Sequence, residues 1–366
     1  MNMNVEYRNQ SGFANFFKKT AKKTIALMYD VNTAKYAQNM KDALQANGCN
    51  VLDVYYLDEE LVPSEDKCEY AYSIAKQSEY VLAVGSGTLN DMAKSVSTRL
   101  DIPCGVLATA ASMDGYCSKG AALMRGGFKV TDEVHTPEDI LIDLEIVRNA
   151  PKKMTAAGFG DIIGKFTCLT DWKMANAVKG EGINEEAYAL MEKARSACLD
   201  AFEGLKRYEG EAVAKLMDAL ITAGISMAIC GNSRPASGSE HHISHFLEMD
   251  FVRRNERIPL HGLKVAIGTL ISMEIYQYIR ENKIAFRGAE QVYKIAENLP
   301  DIQTVRTMLV EMSCPVRFSE IGVRKETMEE ALDKAYTVRD RYTVLTLAHE
   351  LGIMDKIKPV LMEKYW

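Results

Sequence analysis

Three of the six histidines in this chain fall within five residues, His241, His242 and His245, and a fourth, His261, follows in Pro259-Leu-His-Gly262. Ser237 and Glu240 have the S-x-x-E spacing of a capping box, which predicts a helix starting at Ser237. On that helix His241 and His245 share one face, while His242 points roughly 100° away. Two aligned imidazoles with a third a loop away make a divalent-metal site. The bland alternative is a histidine-rich surface helix. Asp161, in Gly158-Phe-Gly-Asp161, is expected in the first turn of another helix, where the dipole favours a carboxylate. It is either a third metal ligand or a cap.

A second group of residues suits phosphates. Gly85-Ser-Gly-Thr-Leu-Asn-Asp91 brings flexible backbone to a helix start, where free N–H groups attract anions. Its spacing departs from G-x-G-x-x-G, because Asp91 holds the final glycine position. Alone it is equally a tight turn. Thr109-Ala-Ala-Ser-Met-Asp-Gly-Tyr-Cys-Ser118 is rich in small and hydroxyl residues that let a ligand approach the backbone. Asp114-Gly115 within it is also an ordinary turn signal. Asp30 could accept hydrogen bonds from a ribose, or close a turn.

These residues need elements to position them. Apolar runs at 23–29, 50–56, 80–84 and 104–108 alternate with helical patterns at 34–46, 65–77 and roughly 91–99. That alternation predicts a mostly parallel α/β sheet, which binds ligands at the carboxyl ends of its strands. A short hairpin (121–124, 128–130, turning at Arg125-Gly-Gly127) and a last strand at 140–143 precede Pro151. From Thr155 onward the patterns are helical: about 158–178, 185–207, 211–228, 239–251, 263–280, 288–298, a capping box at Thr327-Met-Glu-Glu330, then 339–350 and 353–363. The expected organisation is an α/β domain over 1–154 and an all-α domain over 155–366. The segment Met1–Thr20 reads as polar and irregular.

Composition narrows the classes. The net charge of -6 argues against a nucleic-acid surface, which is expected to be basic. Eight scattered cysteines without C-x-x-C, no secretory signal and no apolar run judged long enough to span a bilayer point to free thiols in the cytoplasm.

Taken in order, Gly-Ser-Gly-Thr-Leu-Asn-Asp (85–91), Thr-Ala-Ala-Ser-Met-Asp-Gly (109–115), Gly-Phe-Gly-Asp (158–161) with Asp171-Trp172, Ser-Arg-Pro-Ala-Ser-Gly-Ser-Glu-His (233–241) and His261-Gly262 resemble the sn-glycerol-1-phosphate dehydrogenase family. That family includes bacterial members encoded beside arabinose genes. It lies within the superfamily of iron-containing alcohol dehydrogenase, glycerol dehydrogenase and dehydroquinate synthase. The resemblance implies a Rossmann-like domain, a helical domain, and a site for metal and NAD or NADP in the cleft between them. It implies Asp161, His241 and His261 as ligands of one divalent ion (zinc, nickel or iron). Asp30, Gly87, Thr88, Leu89, Asn90, Asp91, Thr109, Ala110, Ala111, Ser112 and Ser118 match dinucleotide contacts, and Asp114 and His245 match groups facing the substrate. The implied reaction interconverts sn-glycerol 1-phosphate and dihydroxyacetone phosphate by hydride transfer, in a homodimer. Arg234, Lys165, His242 and the Ser237–Ser239 backbone are the candidate phosphate donors. Rival readings are a dehydrogenase for an unphosphorylated polyol, a dehydroquinate synthase-like lyase, and a nucleotide-binding regulator without turnover.

Overall fold

A computed structural model describes residues 3–8, 12–126 and 128–366. Gly127 of the expected hairpin turn, and residues 1–2 and 9–11 of the amino-terminal segment, lie outside the described residues. The chain folds as two compact units. The first holds residues 1–111, 115–151 and 208–217, and the second holds 112–114, 152–207 and 218–366.

The first unit is built on a six-stranded, all-parallel sheet of order β1-β8-β5-β4-β2-β3. Its strands are β1 (Asn4–Tyr7), β2 (Thr24–Asp30), β3 (Asn50–Tyr56), β4 (Tyr80–Gly85), β5 (Cys104–Ala108) and β8 (Asp139–Ile142). A separate antiparallel hairpin joins β6 (Gly120–Arg125) to β7 (Phe128–Glu133). Helices α1 (Ala14–Thr20), α2 (Ala34–Ala46), α3 (Glu65–Ala75) and α4 (Gly87–Leu100) connect the strands, and α5 (Leu144–Arg148) follows the last of them. Central strands covered on both faces should be apolar throughout rather than alternating. Every residue of β4 and β5 is accordingly buried. Ile25, Leu27, Leu82, Val84, Leu107 and Leu141 form one core with Phe16 of α1. The amino-terminal segment is therefore not irregular: it supplies an edge strand and a helix whose Phe16 is fully buried.

The chain leaves β2 toward β3 on one side, then crosses back to lay β4 on the other. The carboxyl ends of β2 and β4, Asp30 and Gly85, flank this switch point, where open α/β sheets take ligands.

The second unit is helical: α6 (Lys152–Ile163), α7 (Lys165–Lys179), α8 (Glu185–Asp200), α9 (Phe202–Lys206), α10 (Gly210–Cys230, whose first turns group with the other unit), α11 (Ser239–Arg253), α12 (His261–Glu281), α13 (Ala289–Ala296), α14 (Ile302–Glu311), α15 (Lys325–Lys334), α16 (Val344–Glu350) and α17 (Met354–Tyr365). Several expectations are corrected. Helix α6 starts at Lys152, so Asp161 lies in its third turn, not its first, and the cap reading falls. Helix α11 starts at Ser239, not Ser237, with Gly238 as its N-cap. Glu240 does accept the N-cap Gly238 N–H at 2.7 Å, but the Ser239 N–H goes at 2.7 Å to Asp171 of α7, a residue distant in sequence, and among the described residues Ser237 Oγ has no partner. Likewise α15 starts before Thr327, whose hydroxyl instead donates to Asp250 at 2.9 Å. The expected helix over 185–207 is two helices, and α14 has no counterpart among the expected helices. The bilayer expectation also changes. Gly210–Cys230 is long and apolar enough to cross a membrane by length and composition, but 61% of that window is buried, as in a core helix.

Candidate active site

Two glycines bring the metal candidates together. Gly160 on α6 and Gly262 on α12 lie where the two helices cross. A Cβ on Gly262 would stand 1.8 Å from the Ala157 carbonyl oxygen, and one on Gly160 would stand 2.5 Å from the Gly262 carbonyl oxygen. Only hydrogen fits there, and the next residues along, Asp161 and the preceding His261, are drawn together. Gly268 does the same for α11, since its Cβ would lie 2.6 Å from the Glu240 carbonyl oxygen.

From three helices, Asp161, His241 and His261 each present a ligand atom, all within 4.8 Å of one another. Asp161 Oδ1 lies 3.6 Å from His241 Nε2. His245 sits beside them, its ring 5.8 Å from His261 and 6.2 Å from His241 between centroids. His242 faces elsewhere, fully buried, and among the described residues neither ring nitrogen has a partner.

Two carboxylates outside the expected ligand set orient these rings. Glu240, fully buried, lies 2.7 Å from His241 Nδ1, which turns Nε2 toward Asp161. Burial, with Asp171 adding repulsion, pushes the Glu240 carboxyl up to about 7. Glu248 bridges His245 Nδ1 at 3.3 Å and His261 Nδ1 at 3.4 Å, with Lys264 Nζ at 3.2 Å. Its position seven residues after His241 puts it on the same helical face, which is the signal in the sequence that points to it. Burial, then the nearby cations led by Lys165, hold His241 neutral, well below the usual imidazole range. One carboxylate and two imidazoles, their far nitrogens held by carboxylates, fit a divalent ion.

Asp114 completes the cluster. Its backbone N–H donates to Asp161 Oδ2 at 3.0 Å. The buried Lys165 ammonium donates to Asp114 Oδ2 at 2.5 Å, Asp161 Oδ1 at 2.9 Å and the Ala236 carbonyl at 3.0 Å. Burial opposes the Lys165 charge, but the Asp114 and Asp161 carboxylates outweigh it and raise its pKa. Burial and the Asp161 charge raise that of Asp114 against the pull of Lys165.

The dinucleotide candidates belong mostly to the first unit. Gly87, Thr88 and Leu89 form the first turn of α4, whose leading N–H groups have no partner within a helix. A Cβ on Gly85 would stand 2.4 Å from the Leu89 side chain, so glycine lets α4 start hard against β4. Asn90 is buried beside the Tyr116 carbonyl. Asp91 has its carboxylate occupied by Lys94 and by the Ala122 N–H. Thr109 N–H donates to the Gly85 carbonyl, Ala110 accepts from Tyr116 Oη, and Ala111 is buried. Ser118 Oγ donates to the Gly115 and Gly120 carbonyls. Ser112 groups with the second unit. Asp30 holds an Asx turn, accepting from the backbone of Asn32 and Thr33.

A family model described as iron-containing alcohol dehydrogenase matches residues 7–151. An NAD(P)+-linked glycerol-1-phosphate dehydrogenase from Bacillus licheniformis is 33% identical over 344 residues, 93% of this chain and 86% of its own length. One from Pyrococcus furiosus is 35% identical over 268 residues, 73% of this chain and 70% of its own. Among solved structures, glycerol dehydrogenase from Schizosaccharomyces pombe superposes with a TM-score of 0.70 at 17% identity, over 99% of this chain and 90% of the other, and so shares the fold. The chain belongs to the glycerol-1-phosphate dehydrogenase family and has the fold of the iron-containing alcohol dehydrogenases.

Proposed function

We propose that this protein is a metal-dependent, NAD(P)-linked dehydrogenase that interconverts sn-glycerol 1-phosphate and dihydroxyacetone phosphate. The carrying observation is the convergence of Asp161, His241 and His261 from three helices in a chain of this family. These three residues would hold one divalent ion, zinc, nickel or iron. Such an ion supplies Lewis-acid activation of the C2 oxygen when bound, and the nicotinamide gives or takes the hydride.

The chain's own groups do the rest. Glu240 and Glu248 set the ring orientation of His241 and His261. His245 would exchange the substrate hydroxyl proton at Nε2, opposite the nitrogen turned to Glu248. Asp114 would orient a substrate hydroxyl, its charge held in place by Lys165. Gly87–Asp91, Thr109–Ser112 and Ser118 would take the dinucleotide phosphates, and Asp30 the adenosine ribose. We assign the dinucleotide to residues 1–154 and metal and substrate to 155–366, in a homodimer. The eight free cysteines support action in the reducing cytoplasm.

The test is NADH and NADPH oxidation with dihydroxyacetone phosphate, beside unphosphorylated dihydroxyacetone, before and after chelation. Turnover of the phosphate ester that chelation abolishes and metal restores is expected. No turnover of it by protein reconstituted with zinc, nickel and iron in turn would overturn the reading.

A further inference from the structure

The loop that carries Asp114 is held by a buried lysine on either side of one peptide bond, and the reaction proposed above accounts for only one of the two. Within the second unit, Lys165 holds the Asp114 carboxylate and Asp161 its backbone N–H. The chain passes back to the first unit at the Asp114–Gly115 peptide bond. There Lys94 of α4 takes hold, with its side chain fully buried. Lys94 Nζ donates to the Gly120 carbonyl at 2.6 Å and the Gly115 carbonyl at 3.1 Å, and pairs with Asp91 Oδ1 at 2.8 Å.

An ammonium has three donors, and these three acceptors occupy all of them. Lys94 therefore has none to offer a phosphate or a substrate, although it lies on the helix whose first turn holds the dinucleotide candidates. Its partner has a second task, since Asp91 Oδ2 accepts the Ala122 N–H at 3.0 Å. Ser118 Oγ, 3.5 Å from Lys94 Nζ, lies 3.0 and 3.2 Å from the same two carbonyl oxygens that Lys94 holds. One ion pair on α4, its members three residues apart, thus ties down the single 3-10 turn Gly115–Cys117 and the start of β6.

Stability does not account for this arrangement. Desolvation offsets much of the attraction within a buried ion pair, and apolar side chains of the same size hold a loop to a helix as firmly. What directed hydrogen bonds from one ammonium add is a fixed register. That register matters most at Asp114. The held carbonyl belongs to the next residue, and the backbone has only two soft dihedrals per residue. With Gly115 anchored, a turn of Asp114 away from the substrate would pull against Lys94.

Resting on the role given to Asp114 in the reaction proposed above, we infer that Lys94 is a positioning residue, which keeps the Asp114 carboxylate aimed at the substrate hydroxyl by anchoring residues 115–122. The test is a double-mutant cycle on kcat at saturating NADH and dihydroxyacetone phosphate, expressed per bound metal, in wild type, Lys94→Met, Asp114→Asn and the double variant. A misplacement of about 1 Å predicts a kcat down by about 100-fold in Lys94→Met. In the Asp114→Asn background the same substitution should cost no more than about 2-fold, because the group it positions is already gone. Amide hydrogen exchange over 112–122, read without metal or nucleotide, should be faster in Lys94→Met than in wild type. Losses that multiply in the double variant would make Lys94 a support of the fold alone and overturn the assignment. A raised KM for NADH with kcat intact would place it in the dinucleotide site, and unchanged exchange would show that it anchors nothing; either is equally fatal. If Lys94→Met does not fold, Ser118→Ala removes one link of the same anchor and must show the same dependence on Asp114. Should Asp114→Asn alone keep the wild-type kcat, it is the proposed role of Asp114 that fails, and the inference about Lys94 falls with it.

Discussion

The crossing of α6 and α12 at Gly160 and Gly262 can be tested by a single methyl group. In Gly262→Ala the new Cβ would stand 1.8 Å from the Ala157 carbonyl oxygen and 3.0 Å from the Asp161 backbone nitrogen. Real Cβ atoms do not approach heavy atoms closer than 3.0 Å, so the helices must part by roughly 1.2 Å. The carbonyl is backbone of α6 and cannot swing aside as a flexible side chain would. Overpacking of this kind costs about 1–3 kcal/mol. The displacement falls between Asp161 and His261, which must stay close to share an ion. A misplacement of about 1 Å at a reacting centre can cost on the order of 100-fold in rate. The expected variant is folded, with a lower Tm, reduced metal content and kcat/KM down by about 100-fold. Gly182→Ala is the control, because a Cβ there meets nothing within 4 Å. Thermal melts, metal analysis and steady-state kinetics on both proteins suffice. A Gly262→Ala protein with the wild-type Tm and full metal content would refute the claim that this crossing sets the ligand geometry.

Replacing Glu248 by Gln puts an amide where His245, His261 and Lys264 now meet one carboxylate. Metal affinity should fall by about 10–100-fold, as read by competition with a chelator, and unchanged affinity would count against its orienting role. Asp171→Ala strips the acceptor from the Ser239 N–H, the Val344 N–H and the buried Tyr276 hydroxyl, and should cost at least about 3 kcal/mol in urea unfolding. A loss below about 0.5 kcal/mol would show that these donors find other partners. In the first unit, burial opposes the Lys19 charge, but Asp139 and Glu138 outweigh it and raise its pKa above the ordinary 10.5. A raised folded pKa gives stabilisation that is complete below pH 10.5 and lost as pH climbs through the folded value. The stability difference between wild type and Lys19→Met should therefore be flat near neutrality and shrink above pH 10.5, and a difference that widened with alkalinity would contradict it.

Residue type and local period carry much of this molecule. The strand–helix alternation over the first 150 residues predicts the parallel sheet, because strands buried on both faces must be apolar throughout. Asp161, His241 and His261 can be named as candidate ligands from chemistry and family resemblance. Tertiary structure decides what local rules cannot see. Both capping boxes mislead in their hydroxyl half because distant groups outcompete local ones: Glu240 still caps the Gly238 N–H, but Asp171 reaches Ser239 from another helix in place of Ser237, and Asp250 takes the Thr327 hydroxyl. Asp161 reads as a first-turn carboxylate by the helix-dipole rule, whereas it lies inside α6, where Gly160 makes room for the Gly262 backbone. Lys165 and Arg234 look like anion donors until their carboxylate partners, Asp114 and Glu181, arrive from 51 and 53 residues away. A sequence records which groups are able to ligate, donate or carry charge. Which of them stay uncompensated depends on long-range packing, and that is decided only when the chain has folded.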